Sequence, residues 1–345
     1  MDILSILQKA YFPGAVYLGK SSLLYLKSLE GQRNLVVISR TVKEKHAGKI
    51  GSILEKGEIF LFSSEPKKSD VEAFQEKVRD GGYENVIGIG GGSVMDLAKT
   101  AGLAEPNVKL VMIPTTPGTG SEASRYAVMI NDDLEKEALA SECLVSDVVL
   151  LDPEFLASLP KHEIANGSMD IIGHAAEALV SRMSNPLSDS LSLKAMDMVF
   201  MNAENACEGD VQAMENVQMA GFLAGLAQSS ASVGAVHAFA HHVGPKAGLP
   251  HGKAVGIFLT EVLRLNMQKT DKYKKLDSSC TVSSQDFLRK LDGLMQRIEF
   301  EKTGFKGVDI EDAARKIKND ACMKTNPAVL SEEEIKGIME RVSYG

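Results

Sequence analysis

Tryptophan is absent from this 345-residue chain, aromatic residues total only 6%, and the four cysteines, Cys143, Cys207, Cys280 and Cys322, are scattered without a CxxC pair. That pattern excludes a thiolate zinc cluster and the disulfide framework of a small secreted domain. Basic residues are in the minority: 38 Lys and Arg against 46 Asp and Glu leave a formal charge of -8. Such a balance repels phosphate backbones and anionic lipid, so neither nucleic acid nor a membrane is an expected partner. Repeats and low-complexity tracts are missing too. What remains, 44% apolar and 24% charged residues, is an ordinary folded composition, long enough for two domains with a sizeable core.

Charge is missing altogether from Asn216 to Pro245, but Gln218, Gln228, Ser229, Ser230, Ser232 and three histidines interrupt that stretch, and no aromatic or basic anchors flank it. A bilayer span needs about 20 mostly apolar residues, so these residues read as buried helices instead. The opening MDILSILQKAYFPG has an acid at position 2, and Ser5, Gln8 and Lys9 break its apolar run. A secretory signal is therefore not expected, and a reducing cytoplasm is.

The first half alternates short β-branched runs with helical patterns. Residues 35–39, 57–63, 85–90, 109–114 and 147–152 read as strands covered on both faces, hence a largely parallel sheet with crossover helices. Helix-spaced residues lie between them, and Ser69 and Asp70 are capping candidates for the segment SDVEAFQEKVRDGG. After LDPEFLASLP (151–160) helix follows helix. The expected fold is an α/β N-terminal domain with a mostly parallel dinucleotide-binding sheet over residues 1–158, followed by an all-α domain over 159–345. Near the end, LSEEEIKGIMERV opens a capped amphipathic helix at Ser331.

Three constellations carry chemistry. VIGIGGGSVMDLAK runs from a strand through Gly88, Gly90, Gly91, Gly92 and Ser93 into a helix from about Val94 to Ala101. Closely approaching backbone N–H groups and a helix N-terminus favour a pyrophosphate there, although a tight glycine turn has the same look. IPTTPGTGSE (113–122) delivers Thr115, Thr116, Thr119 and Ser121 to a strand's carboxyl end, the edge where open α/β sheets bind ligands. Finally, His174, His237, His241, His242 and His251 fall in the helical half, with Asp170 one turn before His174 on the same helix face. A carboxylate buried among apolar neighbours needs a cation or several donors. His237 and His241 repeat the four-residue spacing, and His251 follows the loop GPKAGLP. One carboxylate with imidazoles suits divalent iron or zinc.

These blocks together resemble the iron-containing (group III) alcohol dehydrogenase family, whose patterns GGGSxxDxxK and PTTxGTGSE stand here as GGGSVMDLAK (90–99) and PTTPGTGSE (114–122). DIIGHAAEALVSRMSNPLSDSLSL, HAFAHHVGPKAGLPHG and NPAVLSEEEI are similar to further family segments in the same order. The resemblance implies a dehydroquinate synthase-like architecture and metal ligands Asp170, His174, His237 and His251, with Fe(2+) or Zn(2+) bound. It implies His241 as a proton-relay group and a dinucleotide site at Gly90, Gly91, Gly92 and Ser93, with Asp96 supporting the turn and Thr115, Thr116 and Thr119 lining the cofactor's path. Two departures stand out: Pro117 replaces the commoner Ala, and Glu137 sits where a second basic residue is frequent.

Cofactor choice turns on the end of the first strand, where Ser39 and Arg40 replace the acid that would hold a ribose 2'-hydroxyl. A hydroxyl and a guanidinium suit a 2'-phosphate, so NADP(H) is expected over NAD(H). The expected activity interconverts a small alcohol and its aldehyde or ketone, possessing a metal Lewis acid and a nicotinamide hydride carrier, with a homodimer as an open possibility. The rival readings are a lyase of the dehydroquinate synthase-like superfamily, a metal-dependent hydrolase on the same site, or a binding protein without chemistry.

Overall fold

The computed structural model describes residues 9–131 and 135–343, so most of the N-terminal segment considered for a signal lies outside the described residues. A six-stranded, wholly parallel sheet occupies the first half. Its strands are β1 (Ala15–Leu18), β2 (Asn34–Ile38), β3 (Glu58–Leu61), β4 (Asn85–Gly90), β5 (Lys109–Pro114) and β8 (Val148–Leu151), in the spatial order β1-β8-β5-β4-β2-β3. Strands β2, β4 and β8 are buried along their whole length, which is why they read as unbroken apolar runs. Helices α1 (Arg40–Lys56), α2 (Lys68–Gly81), α3 (Gly92–Lys99) and α4 (Ala101–Ala104) make or extend the crossovers.

Strand β1 was not expected from the sequence, so the strand that ends before Ser39 is the second. A hairpin of β6 (Tyr126–Ile130) and β7 (Lys136–Ala140) was also unforeseen; it pairs with itself, outside the parallel sheet. The glycine-turn helix begins at Gly92, two residues earlier than expected, and α4 continues beyond Thr100. Ser69 is not a cap: Lys67 holds that position, and its N–H donates to Asp70 at 2.9 Å.

All remaining helices follow the sheet: α5 (Lys161–Val180), α6 (Pro186–Cys207), α7 (Val211–Ala231), α8 (Ala235–Ala247), α9 (His251–Lys269), α10 (Phe287–Arg297), α11 (Ile310–Asn319) and α12 (Glu332–Ser343). The expected cap at Ser331 forms as a reciprocal pair, with Glu334 N–H on Ser331 Oγ and Ser331 N–H on Glu334 Oε2. Helix α8 runs through Gly244 and Pro245, residues read as loop in the sequence. The proline is tolerated because it falls in the last turn, where only one backbone bond is lost. Among the described residues no single helix is long and apolar enough to cross a membrane, and the charge-free stretch is split between α7 and α8, which bend by 107°. One apolar core joins the inner faces of β2 and β4, through Val36 and Ile87, to Ile172 of α5 and Phe258 of α9.

Candidate metal and dinucleotide site

A cavity of about 1400 Å³, measured out to its open mouth, lies between the sheet's carboxyl edge, the β6–β7 hairpin and the helices. Gly92, Ser93 and Asp96 of α3 line one wall, Thr119 and Ser121 the loop after β5, and His174, His237, His241 and His251 the helical wall. Ser39, Gly90, Gly91, Thr115 and Thr116 do not line it. Thr115 is buried, and Thr116 lies over Gly91 much as Thr119 lies over Gly92. Ser39 sits past the end of β2, whose Ile38 pairs with Ile89, so the register brings it beside the glycine turn.

The loop Pro117–Gly120 connects the two groups of residues. Gly118 adopts φ +122°, and a Cβ there would stand 2.9 Å from Gly167 Cα and 3.4 Å from Asp170 Cβ. Gly120, at φ +57°, presses on α7, where a Cβ would come within 2.5 Å of Gly225 Cα. Only glycines permit both the left-handed backbone and this approach. The loop is thereby held against the helix that carries Asp170. Asp96 ties it from the other side, accepting from Ser121 Oγ at 2.5 Å and Val128 N–H at 3.1 Å.

Asp170 and His174, on α5, meet His237 of α8 and His251 of α9. Asp170 Oδ1 lies 3.7 Å from His174 Nδ1, 3.6 Å from His237 Nε2 and 3.6 Å from His251 Nε2. One donor atom from each falls within 4.8 Å of all the others. Asp170 Oδ1, His174 Nδ1 and His237 Nε2 are buried without a hydrogen-bond partner. Such orphans are costly unless an ion satisfies them. Tetrahedral ligands about 2.1 Å from an ion stand roughly 3.4 Å apart, so the four donors fit a divalent metal.

Burial alone would raise the Asp170 carboxyl, but His174, His251 and His237 outweigh it and hold the group below the usual carboxylate range. Burial pushes the His174 imidazole down to about 4, against the pull of Asp170 and the Gly118 carbonyl, and it lowers His251 strongly. For His237 burial is overruled by the carboxylates of Asp170, 3.6 Å away, and Glu177, and the ring is pushed up to about 9. His241 stacks on His251 at 5.8 Å between ring centroids and 18° between planes, and removal from water pushes it down to about 3. Its neighbour His242 turns away, with Nε2 bonded to Asp320 at 2.9 Å.

Two groups escaped the sequence reading. Glu177, buried on α5, bonds the Nδ1 of His237; three residues after His174 on an apolar helix, it was a visible signal of the same kind as Asp170. Lys99 is fully buried and donates to the carbonyls of Ser121 and Tyr126, fastening α3 to the loop and hairpin.

Residues 13–153 match the iron-containing alcohol dehydrogenase model, and residues 164–343 match the C-terminal model of the Fe-containing alcohol dehydrogenase family. The chain belongs to the iron-containing alcohol dehydrogenase family. It is 29% identical to an NADPH-dependent butanol dehydrogenase of Clostridium saccharobutylicum, over 96% of this chain and 97% of that relative. Aldehyde-alcohol dehydrogenase 2 of Entamoeba histolytica is 29% identical over 96% of this chain, which spans only 46% of that longer relative. An iron-containing alcohol dehydrogenase from Thermococcus thioreducens shares the fold with a TM-score of 0.87 and 25% identity, covering 98% of this chain and 100% of that one. The chain is thus a metal-dependent alcohol dehydrogenase using a nicotinamide cofactor and a small alcohol or aldehyde, which decides against the lyase and hydrolase readings.

Proposed function

We propose that Asp170, His174, His237 and His251 hold a divalent iron or zinc ion and that NADP(H) is the preferred hydride carrier. The observation that carries the ligand set is the convergence of four donors within 4.8 Å, three of them with an orphaned buried atom. When bound, the ion supplies the positive charge that makes an alcohol acidic, and the nicotinamide takes or gives the hydride. Asp170 neutralises part of the ion's charge, and Glu177 orients His237. Gly92 and Ser93 present the α3 N-terminus to the pyrophosphate, while Thr119 and the rest of its loop hold the cofactor close to Asp170. His241, which lines the cavity beside His251, hands the alcohol's proton outward through a hydrogen bond without retaining it, since removal from water keeps its ring neutral at working pH.

Two features support NADP(H). Arg40 is exposed and Ser39 caps α1, accepting from Val42 N–H at 3.2 Å, so a 2'-phosphate would meet a hydroxyl, a guanidinium and a helix N-terminus together. In this reading residues 1–158 hold the dinucleotide and 159–345 the metal and substrate. The unpaired outer edge of β1, where Leu18 is 56% exposed, offers a homodimer surface among the described residues, and the unpaired cysteines suit a reducing cytoplasm.

The test loads purified protein with Fe(II) or Zn(II) and follows nicotinamide absorbance over a panel of short alcohols and aldehydes. Asp170→Asn and His251→Ala are expected to lose both bound metal and turnover. Full metal content with full turnover in His251→Ala would overturn the ligand set.

A further inference from the structure

Beside the Asp170 centre stands a second convergence of donors. His241, Asp320 and Cys322 offer one nitrogen, one oxygen and one sulfur within 4.8 Å of one another. His241 and Cys322 both line the cavity, while Asp320 approaches from behind, in the turn that follows α11. That turn is rigidly fixed: Asp320 Oδ2 bonds His242 Nε2 at 2.9 Å, and Oδ1 takes the Cys322 N–H at 2.7 Å. Each carboxylate oxygen keeps a further lone pair. The bond to His242 also fixes Asp320 against α8 one residue from His241.

We propose that His241, Asp320 and Cys322 form a second, thiolate-containing metal site with a preference for zinc, opening into the catalytic cavity. The chemistry separates it from its neighbour. An aspartate with three imidazoles accepts iron as readily as zinc, whereas a Cys/His/Asp set with one open position is a zinc-type arrangement because the sulfur favours softer ions. As the zinc–sulfur bond forms, Cys322 gives up its thiol proton to water. The nitrogen donated by His241 is then unavailable to an alcohol's proton, so an ion here inhibits turnover while the Asp170 centre stays loaded. The site goes beyond the proposed function, and its spectroscopic test needs no turnover.

Cobalt(II) supplies that test, since the Asp170 centre contains no thiolate and cannot give a sulfur-to-cobalt charge-transfer band in the near ultraviolet. Anaerobic titration of full-length protein is expected to bind two ions per chain by elemental analysis and to develop that band. Cys322→Ser is expected to bind one ion and show no band, while Asp320→Asn weakens the second ion at least about tenfold. In the steady state, excess zinc should inhibit wild type at least about tenfold more strongly than Cys322→Ser. One bound ion without a band in wild type overturns the proposal. So does a band that persists in Cys322→Ser, because it then arises from exposed Cys143 or Cys280.

Discussion

Glu177 grips His237 and the start of its helix at once: Oε2 accepts from His237 Nδ1 at 2.6 Å, and Oε1 accepts from the Val236 N–H at 2.6 Å. With Nδ1 held by Glu177, Nε2 is the ring atom left to face Asp170, and the one that an ion there would take as its ligand. Glu177→Gln keeps the volume but can accept through only one atom. It should weaken metal binding about 10- to 100-fold in chelator competition, the usual effect of losing such an orienting partner. Unchanged affinity would mean that packing alone orients the ring.

The loop carrying Thr119 depends on two glycine-bearing helices. A Cβ on Gly225 would stand 2.5 Å from the Gly120 carbonyl oxygen, and neither side can retreat, since both atoms belong to backbone. Gly225→Ala should therefore cost about 1–3 kcal/mol in thermal or urea unfolding and raise KM for the nicotinamide cofactor more than for alcohol. Gly48→Ala is the control. Gly48 is exposed in α1 with nothing within 4 Å of its would-be Cβ, so the change should be neutral or stabilising.

The parallel sheet was legible because its central strands are buried on both faces, and the helical half because apolar spacing and missing β-branched runs agree. Strand β1 was hidden by its brevity and exposed edge: in AVYL only the first two residues are even half-buried. The β6–β7 hairpin was obscured for a related reason, as β7 reads KEALA, a helix-forming composition that pairing with β6 overrides. Asp170 and the histidines were visible as polar residues in apolar helices. Their convergence was not, because it depends on how α5, α8 and α9 cross. The role of Asn326 lay further off still: its Oδ1 accepts the Ala235 N–H at 3.1 Å and so caps α8 from ninety-odd residues away.

Arg40 gives a charge-based prediction. It is exposed at the first turn of α1, next to the Ser39 cap. If it contacts a 2'-phosphate, Arg40→Ala should lower kcat/KM for NADPH about 10- to 100-fold, the worth of a charge-assisted hydrogen bond, and leave NADH within about twofold. Raising salt should narrow the wild-type difference between the two cofactors. A strong NADH preference in wild type, or equal losses with both cofactors, would defeat the assignment.

Glu122 sets a pH dependence that involves no proposed metal ligand. The residue is buried in the short turn after Gly120, and burial pushes its carboxyl from 4.5 up to about 7, against the opposing pull of its own backbone N–H and of Lys99. Lys99 itself donates to the carbonyls of Ser121 and Ser124, at 2.7 and 3.3 Å. Since the folded state binds the Glu122 proton more tightly than the unfolded chain does, its contribution is fully present below about pH 4.5. That contribution is lost progressively as pH rises towards about 7. Glu122→Gln mimics the protonated form at every pH. Urea unfolding of the two proteins should therefore show wild type falling behind the variant between pH 4.5 and 7, by an amount on the order of a few kcal/mol. Above that range the difference should be constant. Parallel stability curves across the window would show that Glu122 is already ionised in the fold, with Lys99 as its true counter-ion.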